Sequence, residues 1–427
     1  MVDRRFRVVV AIAVAAVAVC ALVLWHSNAE SAKPAPPVRV QANAPEANVP
    51  VDKAVVGAGN RLGIEVVKNL YGQSPNRNVF VSPAGLNMAL TMTMNGASGD
   101  TRKAMAKALG LQSIDSRRVN KANAAMMANF GKPGPEVKIS LANSLWLRKG
   151  VAFKPEFIRL NRGAFGARIE SLKSGDPKAG AAAINSWVKQ NTNGQIDQVI
   201  DKVDPDTAMI LANVLHFAGT WTFKFDPNGT TPGKFTLPGG KQKHVQMMHK
   251  RSALFYTYRG RDFQAISLSY GPYGHLRFSM YIFLPDKPDG LNSFMKALTA
   301  DKWNAWMAKF KEDEPELSLP RFQASYAADS EMKKVLTDVG MGIAFDLTKA
   351  DFRNMTAERV WIGRALQKSV LRVDEQGTEA SSASAIDFLL GIGEGRVVVD
   401  HPFFWAIRDN KTGQLLFAGV IVDPERL

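Results

Sequence analysis

The chain has 427 residues and one cysteine, and 54 lysines and arginines against 39 acidic residues give a net charge of +15. Hydrophobic residues make up 46% and charged residues 22%, a balance that excludes a disordered chain. A single cysteine excludes a disulfide framework and any metal site that needs several cysteines. The positive charge invites a nucleic-acid or anionic-surface interpretation, but charge bears on association and not on fold.

The N terminus carries an apolar run behind three arginines. Residues 8–25 contain no charge and no proline, and as a helix they would span roughly 27 Å, close to the thickness of a bilayer core. Two interpretations of 1–29 stay open: a secretory signal peptide cut before Glu30, or an uncleaved membrane anchor. Both predict an exported protein, secreted, extracellular or periplasmic, with membrane anchoring in the second case.

A proline-rich segment over 30–53 has little apolar surface to bury and is predicted to be an extended tether. From residue 54 to residue 427 no second linker, internal repeat or low-complexity tract occurs. Helical and strand patterns alternate irregularly along this body, and it contains no cysteine. The pattern predicts one large α+β domain.

Capping signals and apolar runs mark elements in chain order. Ser82 and Pro83 form a good N-cap and first helical residue, and Asp100 is predicted to cap the next helix. Residues 209–217 and 278–284 are largely apolar and are predicted to be strands.

Motifs for catalysis and cofactor binding are lacking. The chain has no HExxH, no nucleophile elbow and no P-loop, and its six histidines are scattered. Gly391, Gly393 and Gly395 lack the strand–turn–helix context of a phosphate cradle. We therefore expect no cofactor and no metal.

The most informative segment follows a predicted strand at 370–373. Counted in steps of two from Thr378, one set of side chains is uncharged and becomes apolar, while the other set holds Glu379 and Asp387. One face thus suits burial and the other suits water, which is the pattern of a latent strand. The small residues at 380–385 would let this strand slide between existing strands.

This segment resembles the hinge and reactive-centre loop of serpins, which carry a closely similar Glu-Gly-Thr-Glu-Ala run. Six further segments are similar to serpin segments and follow the same order along the chain. They are residues 78–83, 96–101, 211–221, 317–322, 400–403 and 416–424. The chain is therefore identified as similar to serpins over nearly the whole body.

The resemblance implies a serpin-like single large α+β domain, with eight or nine helices around three β-sheets and an exposed reactive-centre loop at about 377–397. It implies an inhibitor and not an enzyme. The partner is a serine protease that cleaves the loop, becomes acylated and is trapped when the loop inserts as a strand into the central sheet. Insertion would release strain through ladder hydrogen bonds and apolar burial. The resemblance also implies a monomer.

The composition of the hinge favours an inhibitor over a mere substrate. Thr378 would be the first side chain buried on insertion, where an unpaired charge would be costly. The alternative is a non-inhibitory serpin with a binding or chaperone-like role, in which bulky, charged or proline residues would occupy these positions. The predicted hinge residues are Gly377, Thr378, Glu379, Ala380, Ser381, Ser382, Ala383 and Ser384.

Family spacing places the cleaved bond fourteen residues after the hinge glycine and eleven before a proline. Counting from Gly377 and from Pro402 reaches the same residue, so the predicted bond is Gly391–Ile392. A shift of one residue to Leu390–Gly391 stays open, since glycine offers no side chain to a protease pocket. Either bond favours an elastase-, chymotrypsin- or subtilisin-like target.

Serpins also have a region where the central sheet opens. Family members often carry a histidine there, hydrogen-bonded near a serine and an asparagine. Ser82 and Asn185 match the serine and the asparagine, whereas Gln367 stands in place of the histidine. Glutamine keeps a donor and an acceptor without titrating, so we expect closed strands and less pH sensitivity. Trp221 matches the residue where insertion begins.

The positive charge has one further interpretation under the resemblance. Arg117, Arg118 and Lys121 lie where some serpins bind polyanion activators, and a solvated helix face is the alternative. Specific nucleic-acid binding would rest on charge alone, and we do not expect it.

Overall fold

A computed structural model describes residues 48–173, 175–192, 194–251, 253–328, 330–378 and 395–424. Within these ranges the chain forms nine α-helices and three β-sheets, which confirms the predicted α+β class. The helices are α1 (Lys53–Gln73), α2 (Pro83–Gly96), α3 (Gly99–Ala108), α4 (Ser116–Gly131), α5 (Pro155–Phe165), α6 (Pro177–Asn191), α7 (Leu291–Ala297), α8 (Ala300–Met307) and α9 (Ser330–Leu336).

Seventeen strands of the described residues make up the sheets. They are β1 (Val79–Val81), β2 (Val137–Leu147), β3 (Arg168–Ser171), β4 (Met209–Thr220), β5 (Thr231–Thr236), β6 (Gln242–Lys250), β7 (Phe255–Arg259), β8 (Phe263–Tyr270), β9 (Phe278–Pro285), β10 (Lys311–Asp313), β11 (Glu316–Pro320), β12 (Phe322–Ala328), β13 (Ile362–Val373), β14 (Gly377–Thr378), β15 (Arg396–Val398), β16 (Phe403–Asp409) and β17 (Leu415–Ile421). The strands predicted at 209–217 and 278–284 fall within β4 and β9.

The central sheet has six strands in the order β12-β13-β14-β4-β2-β3. A seven-stranded sheet runs β1-β17-β16-β9-β8-β7-β10, and a four-stranded sheet runs β15-β11-β6-β5. The first two sheets share an aromatic core. Trp405 of the seven-stranded sheet lies 5.5 Å from Phe80 of the same sheet and 6.4 Å from Phe322 of the central sheet, ring centre to ring centre.

The start of α2 confirms the predicted cap. The Ser82 hydroxyl accepts a hydrogen bond from the backbone N–H of Gly85 at 3.0 Å, and Pro83 is the first helical residue. The cap predicted for α3 is wrong by two positions. Ser98 has the extended backbone of an N-cap, and Asp100 lies in the first turn, where the helix dipole favours a carboxylate.

The predicted tether joins the body before residue 53. The backbone N–H and C=O of Val49 both bond to the side-chain amide of Asn129, at 2.9 and 2.8 Å. Asp52 then caps α1 by accepting a hydrogen bond from the N–H of Ala54 at 3.0 Å. The last residues of the predicted tether therefore contact the body, which the proline-rich composition did not indicate. The apolar run at 8–25 lies outside the described residues. In the ranges described, every helix is too short or too polar to cross a bilayer.

Candidate functional site

The strands β4 and β13 meet over only part of their length. They pair in parallel from Ile362 and Met209 up to Lys368 and Val214. Above that point the two-residue strand β14 lies between them, with Thr378 opposite both Gly219 of β4 and Val373 of β13. Because β14 runs antiparallel to both neighbours, its own direction points toward the place where β4 and β13 part.

A tight turn returns the chain from β13 into the sheet. It is closed by two backbone hydrogen bonds between Asp374 and Gly377, at 3.0 and 3.3 Å. Gly377 has a φ of 152°, and a Cβ there would overlap the carbonyl oxygen of Gly219. Only glycine therefore allows β14 to approach β4 this closely. We call residues 374–377 the hinge turn.

Trp221 holds the hinge turn from the end of β4. Its backbone N–H donates to the carbonyl of Gln376 at 2.9 Å, and its indole Nε1 donates to the carbonyl of Asp374 at 2.9 Å. The indole stacks on Tyr270 with ring centres 4.4 Å apart and planes 17° apart. The structure thus places Trp221 against the hinge turn. That insertion begins at this residue stays a prediction.

An ion pair fixes the outer side of the hinge turn. Nε and Nη2 of Arg321 both donate to Oε1 of Glu375 at 2.6 Å, and the Thr230 hydroxyl donates to the same oxygen. The Glu375 side chain is 5% exposed and that of Arg321 is 31% exposed. The sequence alone did not predict this pair, because its two residues lie 54 positions apart.

Thr378 is already buried in the intact protein. It has no exposed surface, and its hydroxyl oxygen lies 2.6 Å from that of Tyr270. Burial raises the pKa of Tyr270 far above its ordinary range, so the phenol stays neutral. At the two ends of the predicted loop, about 377–397, the structure describes the short strands β14 and β15, which lie in sheets that supply their hydrogen bonds.

The remaining loop predictions fall outside the described residues. The hinge positions Glu379, Ala380, Ser381, Ser382, Ala383 and Ser384 and the candidate bond residues Leu390, Gly391 and Ile392 all lie within 379–394.

A buried amide cluster closes β4 onto β13 below the hinge. Gln367 accepts from the N–H of Ser82 at 3.0 Å and donates to the carbonyl of Ser82 at 3.2 Å and to Oδ1 of Asn213 at 3.3 Å. Asn213 in turn donates to Oδ1 of Asn143 on β2 at 2.9 Å. Gly85 leaves room for this arrangement, since a Cβ there would overlap the amide of Asn213. The cluster ties the N terminus of α2 to three strands.

The predicted asparagine partner, Asn185, belongs to a different contact. Its amide accepts from the N–H groups of Val199 and Ile200 at 2.9 and 3.2 Å and donates to the carbonyl of Ile200 at 2.7 Å. It therefore anchors the segment after α6. Successive side chains of a strand point to opposite faces: Leu366 packs in the apolar cluster under α6, and Gln367 faces α2. Asn213 is the asparagine bonded to Gln367.

The basic residues of α4 differ in their surroundings. Nε of Arg118 donates to Oδ2 of Asp52 at 2.7 Å, and this hydrogen bond lowers the pKa of the Asp52 carboxyl. Nε of Arg117 lies 3.5 Å from Oδ1 of Asp115. Lys121 lines an open cleft of about 500 Å³ between α4 and α5, together with Arg159.

Comparison with known proteins supports the same family as the geometry. The family model for serpins (serine protease inhibitors) matches residues 57–424. Serpin B6 of Pongo abelii is 32% identical over 376 residues, spanning 86% of this chain and 98% of that protein. The leukocyte elastase inhibitor of Homo sapiens is 31% identical over 381 residues, with the same coverage.

A solved structure shows the same fold. The thermophilic serpin tengpin in its native state superposes with a TM-score of 0.79 at 27% identity, covering 90% of this chain and 97% of that chain. Family model, relatives and fold agree over nearly the whole described body, and the chain belongs to the serpin family of serine protease inhibitors.

Proposed function

We propose that this chain is a suicide inhibitor that traps its target as an acyl-enzyme. The protease cleaves the loop within 379–394, and the freed segment extends β14 downward between β4 and β13. The observation that carries the proposal is that Thr378 already pairs with both strands. The chain after it would enter where the pairing of β4 with β13 ends.

Insertion exchanges one strand interface for two. The direct pairing of 209–214 with 362–368 is lost, while each of these strands gains a full ladder with the inserted segment. The alternating pattern from Thr378 supplies the apolar face that the core requires. The amide cluster around Gln367 holds the sheet closed until then, because opening it would leave buried amides without partners.

The bond at Gly391–Ile392, or the neighbouring Leu390–Gly391, gives the target class. Small or apolar residues suit an elastase-, chymotrypsin- or subtilisin-like pocket, and one relative is named leukocyte elastase inhibitor. A trypsin-like target would have to use Arg396, which lies in β15 opposite Glu316 of the four-stranded sheet. That position is too far along the chain for normal loop insertion.

Incubation with elastase, chymotrypsin and subtilisin tests this function. Denaturing gels should show a covalent complex, and sequencing the released C-terminal peptide should find Ile392 or Gly391 at its start. Trypsin serves as the negative control. Cleavage by every protease without any complex would refute inhibition and favour the non-inhibitory alternative.

The N-terminal segment supports a proposal of export. The apolar run at 8–25 precedes the first residue matched by the family model, residue 57, so it is an addition to the inhibitor domain. Fractionation of the source cells with intact-mass measurement separates the two forms. A mature protein starting at Glu30 indicates a signal peptide, and the uncut chain in the membrane fraction indicates an anchor. The uncut chain in the cytoplasmic fraction would contradict export.

Two further proposals concern polyanion activation and oligomeric state. Arg117 has a 96% exposed side chain and Lys121 is exposed, so α4 offers cations to a sulfated or phosphorylated chain, although Arg118 is engaged by Asp52. Acceleration of inhibition by heparin or DNA, with a steep salt dependence, would support activation. An unchanged rate would identify this surface as a solvated helix face. Size-exclusion chromatography tests the predicted monomer.

A further inference from the structure

Tyr270 connects two sheets at the hinge. It is the last residue of β8 in the seven-stranded sheet, and its hydroxyl lies 2.6 Å from that of Thr378 in the central sheet. Its ring is fixed by stacking on Trp221 at 4.4 Å and by an edge contact with Phe217 at 4.9 Å. These ring contacts fix the position of the Tyr270 hydroxyl beside β14.

Gly219 provides the path for this contact. A Cβ at Gly219 would lie 2.8 Å from Cδ1 of Tyr270, so the ring passes close against the backbone of β4. The same glycine is the register partner of Thr378. One small residue thus admits both the tyrosine ring and the hinge strand.

Within the described residues, the hydroxyls of Tyr270 and Thr378 bond to each other. Both side chains are essentially without exposed surface. If either hydroxyl were removed, the other would remain buried without a partner, a condition that favours expulsion of the hinge into water. If both were removed together, neither would be left unsatisfied.

We propose that Tyr270 is a positioning residue of the inhibitory reaction. It holds Thr378 in register before cleavage, so that loop insertion starts from a formed first rung. Insertion competes with hydrolysis of the acyl-enzyme, in which water releases active protease and cleaved inhibitor. A hinge held in place raises the fraction of encounters that end in the trapped complex. This inference rests on the proposed function.

The test is a double-mutant cycle on the partition ratio, the amount of cleaved inhibitor divided by the amount of covalent complex. We expect Tyr270→Phe to raise this ratio about three- to tenfold. The double variant Tyr270→Phe/Thr378→Val should return to within about twofold of the parent. The single variant Thr378→Val completes the cycle. The combined effect of the two substitutions on the partition ratio should differ from the product of their separate effects by at least about threefold.

Tyr281→Phe is the matched control, because that tyrosine lies on the adjacent strand β9 and donates to Oδ1 of Asn410 at 2.7 Å, away from the hinge. It should lower the unfolding midpoint while leaving the ratio unchanged. A Tyr270→Phe protein with the parental ratio, or a ratio that Thr378→Val does not rescue, would overturn the inference. The parent protein distinguishes failure of this inference from failure of the proposed function. If the parent forms no covalent complex, the proposed function itself fails.

Discussion

Arg321 and Glu375 form a partly buried ion pair that fastens the hinge turn to the start of β12, with Nε and Nη2 of Arg321 both 2.6 Å from Oε1 of Glu375. The pair links the turn from which the loop would insert to the edge strand of the central sheet. Its two partners differ in exposure, since Glu375 is almost enclosed whereas Arg321 still reaches water.

This difference predicts unequal effects of removing either charge. Arg321→Met should lower the free energy of unfolding by about 2–3 kcal/mol, because it leaves a buried carboxylate without a cation. Glu375→Gln should cost less, since the freed guanidinium is partly hydrated. Denaturant unfolding measures both. Arg251→Met is the control, as its pair with Glu316 is 77% exposed on the arginine side and should contribute less than about 1 kcal/mol. Equal losses of unfolding free energy in all three variants would contradict the conclusion that Glu375 is the buried partner that needs a cation.

Gly377→Ala should convert the inhibitor into a substrate. The added methyl would overlap the carbonyl of Gly219, and the backbone at φ 152° disfavours a side chain, so β14 would leave the sheet. Gel analysis should show cleavage with little covalent complex. Gly163→Ala is the control, because a Cβ there meets nothing within 4 Å on α5. A Gly377→Ala protein with the parental yield of complex would refute the steric argument.

Thr378→Arg should abolish complex formation while leaving cleavage intact. The position has no exposed surface, and a guanidinium there would be buried among Tyr270, Gly219 and Val373 without a counter-charge. Thr378→Ser retains the hydroxyl and should keep most of the inhibition. The stoichiometry of inhibition separates the two variants, and an unchanged value for the arginine variant would show that Thr378 is not required to stay buried.

Gln367→His should make stability depend on pH. A neutral imidazole could accept from the Ser82 N–H as Gln367 does, but its protonation would put a second donor and an uncompensated charge into the buried cluster. The folded-state pKa of the new histidine would therefore fall below its unfolded value of about 6.5. Stability is then unaffected well above the unfolded-state pKa of about 6.5. It decreases as pH falls from that value through the lower folded-state pKa. The unfolding midpoint at pH 5 and pH 8 measures the difference.

Gln190→His is the control for this prediction, because Gln190 is exposed on α6. It should show the same pH dependence as the parent protein. An unchanged midpoint difference in Gln367→His would mean that the cluster tolerates the charge.

Local patterns predict most elements around the site. The Ser82–Pro83 cap and the apolar strands follow from neighbouring residues in the sequence, and so does the assignment of Thr378 to a face that suits burial. Contacts between distant segments do not. Asn213 lies 154 positions from Gln367, and only the register of β4 against β13 brings them together. Alternation within a strand shows which residues share a face, but not which strand lies beside them.

The hinge shows the same limit. The small residues after Thr378 predict insertion, yet its burial before cleavage depends on Tyr270, Trp221 and Gly219, which lie on other elements. The bond to Tyr270 spans 108 positions. Close approach through a glycine is a three-dimensional property that composition alone does not reveal.

The central claim is that the cleaved loop must separate β4 from β13. Ala212 and Leu366 are register partners on these strands, and adjacent strands lie about 4.8 Å apart, within the reach of a disulfide. The body contains no cysteine, so Ala212→Cys/Leu366→Cys in a Cys20→Ser background gives one engineered bridge. Oxidised protein should be cleaved without covalent complex, and reduction should restore inhibition. Equal inhibition by the oxidised and reduced forms would contradict strand insertion between β4 and β13.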